Sequence, residues 1–125
     1  MCGEATADVR RAYDVLLEAQ EEGRLAARPG ALARDVNAAC RAPIEEAGLG
    51  PRFRHRMGHG LGLDVHERPF LSAEDETPLT EAMTFTDEPS IIVPGEFGVR
   101  IEDVIVVEAG GGRKLGSCSP GMASV

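Results

Sequence analysis

All three histidines of this 125-residue chain, His55, His59 and His66, fall within a twelve-residue window. Imidazoles so close together are the raw material of metal binding or acid–base chemistry, because the ring titrates near neutrality and offers a nitrogen lone pair. His59 is framed as Gly58-His59-Gly60-Leu61-Gly62. Glycines on both sides remove Cβ atoms that would otherwise keep a ligand or an ion away from the backbone. The same pattern also suits a plain structural loop. It is neither a dinucleotide-binding fingerprint nor a P-loop, and His66-Glu67 lacks the second histidine of a zincin helix.

Two downstream carboxylates stand apart from the acidic background. Glu88 precedes Pro89, and the proline restricts it to an extended backbone that helps to fix where its carboxylate points. Glu102 lies among Val99, Ile101 and Val104, where an unpaired charge would be costly. Arg100, two residues away and on the same face of a strand, offers one solution, a structural Arg–Glu pair. Convergence of His59, Glu88 and Glu102 on a metal ion offers another. One imidazole with carboxylates suits Mn²⁺, Co²⁺, Fe²⁺ or Zn²⁺ better than a thiolate-seeking ion.

The elements that must position these groups are legible from periodicity. In residues 8–22, Val9, Tyr13, Leu16 and Leu17 recur at spacings of three and four, which predicts an amphipathic helix. Pro29-Gly30 breaks the chain. A second stripe, Leu32, Val36, Cys40 and Ile44, runs to Glu46 and ends at Gly48 and Gly50, with Cys40 as core and Pro43 expected to kink or split the helix. From residue 52 the period becomes two: Arg52, Arg54 and Arg56 alternate with Phe53, His55 and Met57, as on a strand. Further strands are expected at 83–86, at 90–93 with a turn at Pro94-Gly95, and at 99–108. Helices followed by antiparallel strands make an α+β domain with the helices on one sheet face. Residues 1–50 form its helical portion and residues 51–125 its sheet portion.

Charge and cysteine usage exclude other classes. Thirteen basic against 21 acidic residues leave a net charge of −8, so there is no basic field for a nucleic-acid backbone. The longest apolar runs, such as 104–107, are far too short to span a membrane. Three separated cysteines, Cys2, Cys40 and Cys118, form neither a disulfide framework nor a thiolate zinc site. An acidic, amphipathic start is no secretory signal, and a reducing cytoplasm is the expected compartment.

Taken together, the stretch His55-Arg56-Met57-Gly58-His59-Gly60-Leu61-Gly62-Leu63-Asp64-Val65-His66-Glu67, then Phe85-Thr86-Asp87-Glu88-Pro89, then Phe97-Gly98-Val99-Arg100-Ile101-Glu102-Asp103 resembles the pita-bread metallopeptidases. The likeness is closest to the Xaa-Pro aminopeptidases and Xaa-Pro dipeptidases (prolidases), and it extends to the two helices. The resemblance implies a curved antiparallel sheet and two divalent metal ions, manganese first, with cobalt, zinc or iron as alternatives. It makes His59 and Glu88 ligands of one ion and Glu102 a carboxylate shared by both. It makes His55 and His66 substrate-contacting histidines, Glu88 also the acceptor of the attacking water's proton, and Arg100 a residue of substrate handling. A neutral His66 donating to the developing oxyanion would lose that state at low pH, and activity with it. The implied substrate is a peptide with proline at its second position, and the implied assembly of the parent protein is a homodimer.

The departures from the family pattern carry expectations of their own. The resemblance implies two more metal-binding aspartates on strands before the first helix, and nothing in residues 1–125 corresponds to them. Asp8 and Asp14 lie on the helical pattern. Ala82 and Ser90 stand where glycine is usual. The expected entity is the C-terminal half of a pita-bread catalytic domain, with three of five ligands, binding metal poorly and inactive by itself. Two alternatives remain open: a non-catalytic peptide- or protein-binding module, and a creatinase-like hydrolase of small C–N compounds.

Overall fold

The computed structural model describes residues 4–117 and 121–122. Cys2 and Cys118 lie outside the described residues, and Cys40 is a free, buried thiol whose pKa burial pushes up. Two helices, α1 (Ala7–Ala26) and α2 (Ala33–Glu46), precede seven short strands. Helix α1 starts where the Thr6 hydroxyl accepts from the Val9 N–H, and Asp8 in its first turn complements the helix dipole. Its innermost line is Ala12, Leu16, Ala19 and Gly23, with Val9, Tyr13 and Leu17 at the margins. Small residues on that line let α2 approach closely. A Cβ at Gly23 would fall 3.1 Å from Cβ of Cys40.

The α2 face is the expected one: Val36, Cys40 and Ile44 are buried, joined by Ala33 and Asn37. Pro43 does not split the helix, which runs to Glu46. The proline sits in the last turn, where only one backbone donor is lost before the helix ends anyway. Gly48, at φ +75°, then turns the chain.

The strands are β1 (Gly58–Gly60), β2 (Glu67–Leu71), β3 (Thr84–Asp87), β4 (Ser90–Val93), β5 (Phe97–Arg100), β6 (Asp103–Val106) and β7 (Arg113–Lys114). Five of them form an antiparallel sheet in the order β2-β1-β3-β6-β7, and β4 pairs with β5. The helices cover one sheet face, where Met57, Leu71, Phe85, Ile91, Ile105 and Val107 join the buried helix residues in one core. This is the α+β layering read from the sequence.

Two sequence expectations are corrected. Residues 52–57 are no strand: Gly50–Arg52 is a 3₁₀ turn, and pairing starts at Gly58. The alternation of Arg52, Arg54 and Arg56 is local, and Arg41 from α2 binds the carbonyls of Phe53 and His55 instead of a strand neighbour. The single strand expected at 99–108 is divided into β5 and β6. The register nevertheless continues: Thr84↔Val106 through Asp87↔Asp103 resumes as Ser90↔Arg100 through Val93↔Phe97. The break falls at Glu88-Pro89 because proline has no N–H to give the opposite strand, although the Pro89 carbonyl still accepts from the Ile101 N–H at 3.3 Å.

Candidate metal and catalytic site

β1 is short, buried and held from both sides. A Cβ at Gly58 would lie 1.6 Å from the Thr86 carbonyl oxygen, and one at Gly60 would lie 2.3 Å from the Arg68 carbonyl oxygen. The glycines flanking His59 therefore admit neighbouring strands, which corrects the reading that they clear a path for a ligand. Their effect is to seat His59 rigidly in mid-sheet, only 6% exposed.

Side chains alternate along β3, so Phe85 faces the helices and Thr86 the opposite side. Continuing that alternation, Glu88 and Ser90 share the Thr86 face. Thr86 binds the two candidate ligands together: its Oγ1 accepts the His59 backbone N–H at 3.0 Å and donates to Oε1 of Glu88 at 3.2 Å. The same Oε1 stands 3.3 Å from Nε2 of His59. His59 Nδ1 lies 3.0 Å from the Gly60 carbonyl. A carbonyl only accepts, so Nδ1 carries the hydrogen of the neutral ring and the lone pair at Nε2 points toward Glu88.

Arg100 closes the other side of Glu88, with Nη1 2.7 Å from Oε2. The ion pair joins Arg100 to Glu88; Glu102 is exposed and forms no ion pair with Arg100, so the structural Arg100–Glu102 pair offered as one alternative, and the burial expected of Glu102, are not found. Arg100 Nη2 also approaches His55 Nε2, at 3.5 Å. His55 is half-buried, and burial lowers its pKa, aided by the charges of Arg100 and Arg41 and opposed by its contact with the Arg56 carbonyl and by Glu88. The exposed His66 ring lies 4.3 Å, centroid to centroid, from that of His59. His55, His66, Glu88 and Arg100 line an open cleft of about 530 Å³, with Arg56, Phe70, Ser72 and Glu74 completing its wall.

The structure thus brings His55, His59, His66, Glu88 and Arg100 to one face. Among the described residues no three His, Cys, Asp or Glu side chains already stand close enough together to hold a metal ion. Two residues here escaped the sequence reading. Thr86 had a usable signal, since it lies two residues before Glu88 and so on its face. Asp87 was hidden in an apolar run. It is fully buried on the helix side, and both carboxylate oxygens lack a hydrogen-bond partner. Burial pushes its carboxyl well above the usual range; Lys114 opposes this and Asp103, its cross-strand neighbour, adds to it.

On this α+β scaffold an imidazole fixed by its second nitrogen stands beside a carboxylate at the edge of a charged cleft, and both are donor types that metal sites use. The sequence matches Metallopeptidase family M24 over residues 1–109, and the chain belongs to that family. It is 43% identical over 106 residues to the Xaa-Pro dipeptidase of Pyrococcus furiosus, covering 85% of this chain and 30% of that protein. It is also 43% identical over 116 residues to a probable dipeptidase PepE of Mycobacterium bovis, covering 93% and 31%. The solved structure of the Xaa-Pro dipeptidase from Bacillus anthracis superposes with a TM-score of 0.95 at 36% identity, covering 99% of this chain and 35% of that one. The chain therefore spans about a third of the length of the relatives it matches. Among the described residues no helix is long and apolar enough to cross a membrane.

Proposed function

We propose that these residues form part of a metal-dependent Xaa-Pro peptidase, an aminopeptidase or dipeptidase cutting before proline. The observation that carries the reading is the facing of His59 Nε2 and Glu88 Oε1 at 3.3 Å. Two electron-rich atoms aimed at one another are satisfied by a proton or a cation between them, and both belong to donor types that hold Mn²⁺, Co²⁺, Fe²⁺ or Zn²⁺. The residues present therefore fit a divalent metal. His59 and Glu88 would hold it, with Glu102 from the adjoining segment as a third ligand. A bound divalent ion supplies a Lewis acid and a water nucleophile at neutral pH.

The chain's own side chains supply the rest. Glu88 is positioned to take a proton, because Arg100 engages only Oε2 and leaves Oε1 on the His59 side. His66, exposed beside His59, is free to turn toward a carbonyl oxygen in the cleft. His55 and Arg100 line the part of the cleft where the residue after the cut would sit. The acidic surface and unpaired Cys40 support a cytoplasmic protein without a nucleic-acid partner, and the donor set supports manganese. A homodimer is carried over from the resemblance. Three ligands of an expected five bind metal weakly, so the 125 residues alone are proposed to be inactive.

A chimera tests this reading. Residues 1–109 replace the matching segment of the Bacillus anthracis Xaa-Pro dipeptidase, and Mn²⁺-dependent hydrolysis of Xaa-Pro dipeptides is measured. Turnover that disappears on His59→Ala is the expected result. A folded chimera that binds Mn²⁺ without turnover would favour the non-catalytic module.

A further inference from the structure

Ser90 stands where the resembled family usually has glycine, and its side chain is not idle. Its Oγ lies 2.5 Å from Nε2 of His55, while Nδ1 of the same ring lies 2.6 Å from the Arg56 carbonyl. The carbonyl can only accept, so Nδ1 must carry the hydrogen, and in the neutral ring Nε2 is left as an acceptor. Both groups facing Nε2 are able to donate: the Ser90 hydroxyl, and the Arg100 guanidinium at 3.5 Å. This convergence is built into the sheet, because Ser90 and Arg100 are register partners and present their side chains on one face. Ser90 is only 2% exposed, so water competes little for its hydroxyl.

We propose that Ser90 is a positioning residue that occupies Nε2 of His55, whose Nδ1–H tautomer the Arg56 carbonyl sets. Held in this way, His55 offers no free nitrogen to a molecule in the cleft. It acts as a fixed wall beside Arg100, and exchanging acid–base roles with a ligand requires the Ser90 hydroxyl to turn away. A glycine at this position would leave Nε2 to Arg100 or to the ligand. The proposal rests on the cleft geometry and holds whether or not the peptidase reading does.

The test is ¹⁵N NMR of the histidine side chains in the labelled, metal-free 125-residue chain. With three histidines, a His55→Gln variant assigns the His55 signals by their loss. The wild type should show His55 protonated at Nδ1, with a bare, hydrogen-bonded Nε2. Ser90→Ala and Ser90→Gly should move the Nε2 signal downfield, as for a ring nitrogen that has lost a donor, with Nδ1 still protonated and the backbone amide spectrum otherwise preserved. Ser90→Thr should restore the wild-type signature. A wild-type ring protonated at Nε2, or His55 signals unchanged in whichever of the Ala and Gly variants folds, would overturn the proposal. Neither outcome depends on catalysis or metal binding, so failure here is distinct from failure of the chimera.

Discussion

Glu88 and Glu102 occupy facing positions of one antiparallel ladder, at its single interruption. The pairs on either side, Asp87↔Asp103 and Ser90↔Arg100, share one register, and the two glutamates fall in the gap between them. Pro89 makes the gap, since it withholds a backbone donor at the point where the ladder would otherwise close. Two carboxylates directly opposite repel each other. Arg100 relieves this on one side by binding Glu88, leaving Glu102 to solvent. The register alone sets the two glutamates opposite one another, on the sheet face that also carries Arg100 and Ser90.

Gly58 is the tightest point of the scaffold behind this gap. Gly58→Ala drives a Cβ into the Thr86 carbonyl, and neither strand can retreat without displacing His59. Overpacking of this kind costs about 1–3 kcal/mol and occasionally more. Chemical denaturation should show that loss, and a change below about 1 kcal/mol would contradict the close packing.

Ala82 carries the opposite kind of strain. Its φ of +67° is a left-handed conformation that disfavours any Cβ. Ala82→Gly removes that penalty at some cost in unfolded-chain entropy, for a net gain of about 1 kcal/mol. A gain of that size should raise the melting temperature by roughly 3–5 °C. Ala82→Val should lower it.

Asp87 predicts a stability that depends on pH. Its folded pKa is raised above the unfolded value, so the penalty for keeping it buried grows as pH rises above the ordinary carboxylate range. Asp87→Val fits a strand and removes an unsatisfied buried group, which is worth about 1–3 kcal/mol. The gain should be larger at pH 8 than at pH 5. An equal effect at both would mean that burial does not disfavour the charged form.

His55 acts in the other direction. Its folded pKa is lowered, so the unfolded chain takes up protons first as pH falls. Stability from this ring is complete above the unfolded value near 6.5 and declines below it. His55→Gln should flatten the fall in melting temperature between pH 7 and pH 5.5. The same decline in the variant would assign it to other groups.

How far the sequence reveals this molecule varies by element. Helix α2 could be read almost residue for residue, because Val36, Cys40 and Ile44 form one unbroken stripe. Helix α1 was found with its face slightly rotated, because alanine and glycine at Ala12, Ala19 and Gly23 carry little hydropathy signal although they make the closest contacts. The alternation at 52–57 imitated a strand because nothing local shows that Arg41 has already taken the Phe53 and His55 carbonyls. The run at 99–108 looked continuous because its interruption is caused by Pro89 on the opposite strand. The site histidines and Glu88 were visible as residue types. The Arg100–Glu88 pair was not, since strand spacing placed Arg100 equally well beside Glu102.

The most direct measurement is a Mn²⁺ titration of the ¹⁵N-labelled chain, following paramagnetic line broadening residue by residue. Binding should be weak, with broadening that begins around His59, Glu88 and Glu102 and is lost in both His59→Ala and Glu88→Gln. Broadening centred elsewhere, for example on the Glu74–Glu76 loop, or left unchanged by those substitutions, would contradict the metal site at the gap in the ladder.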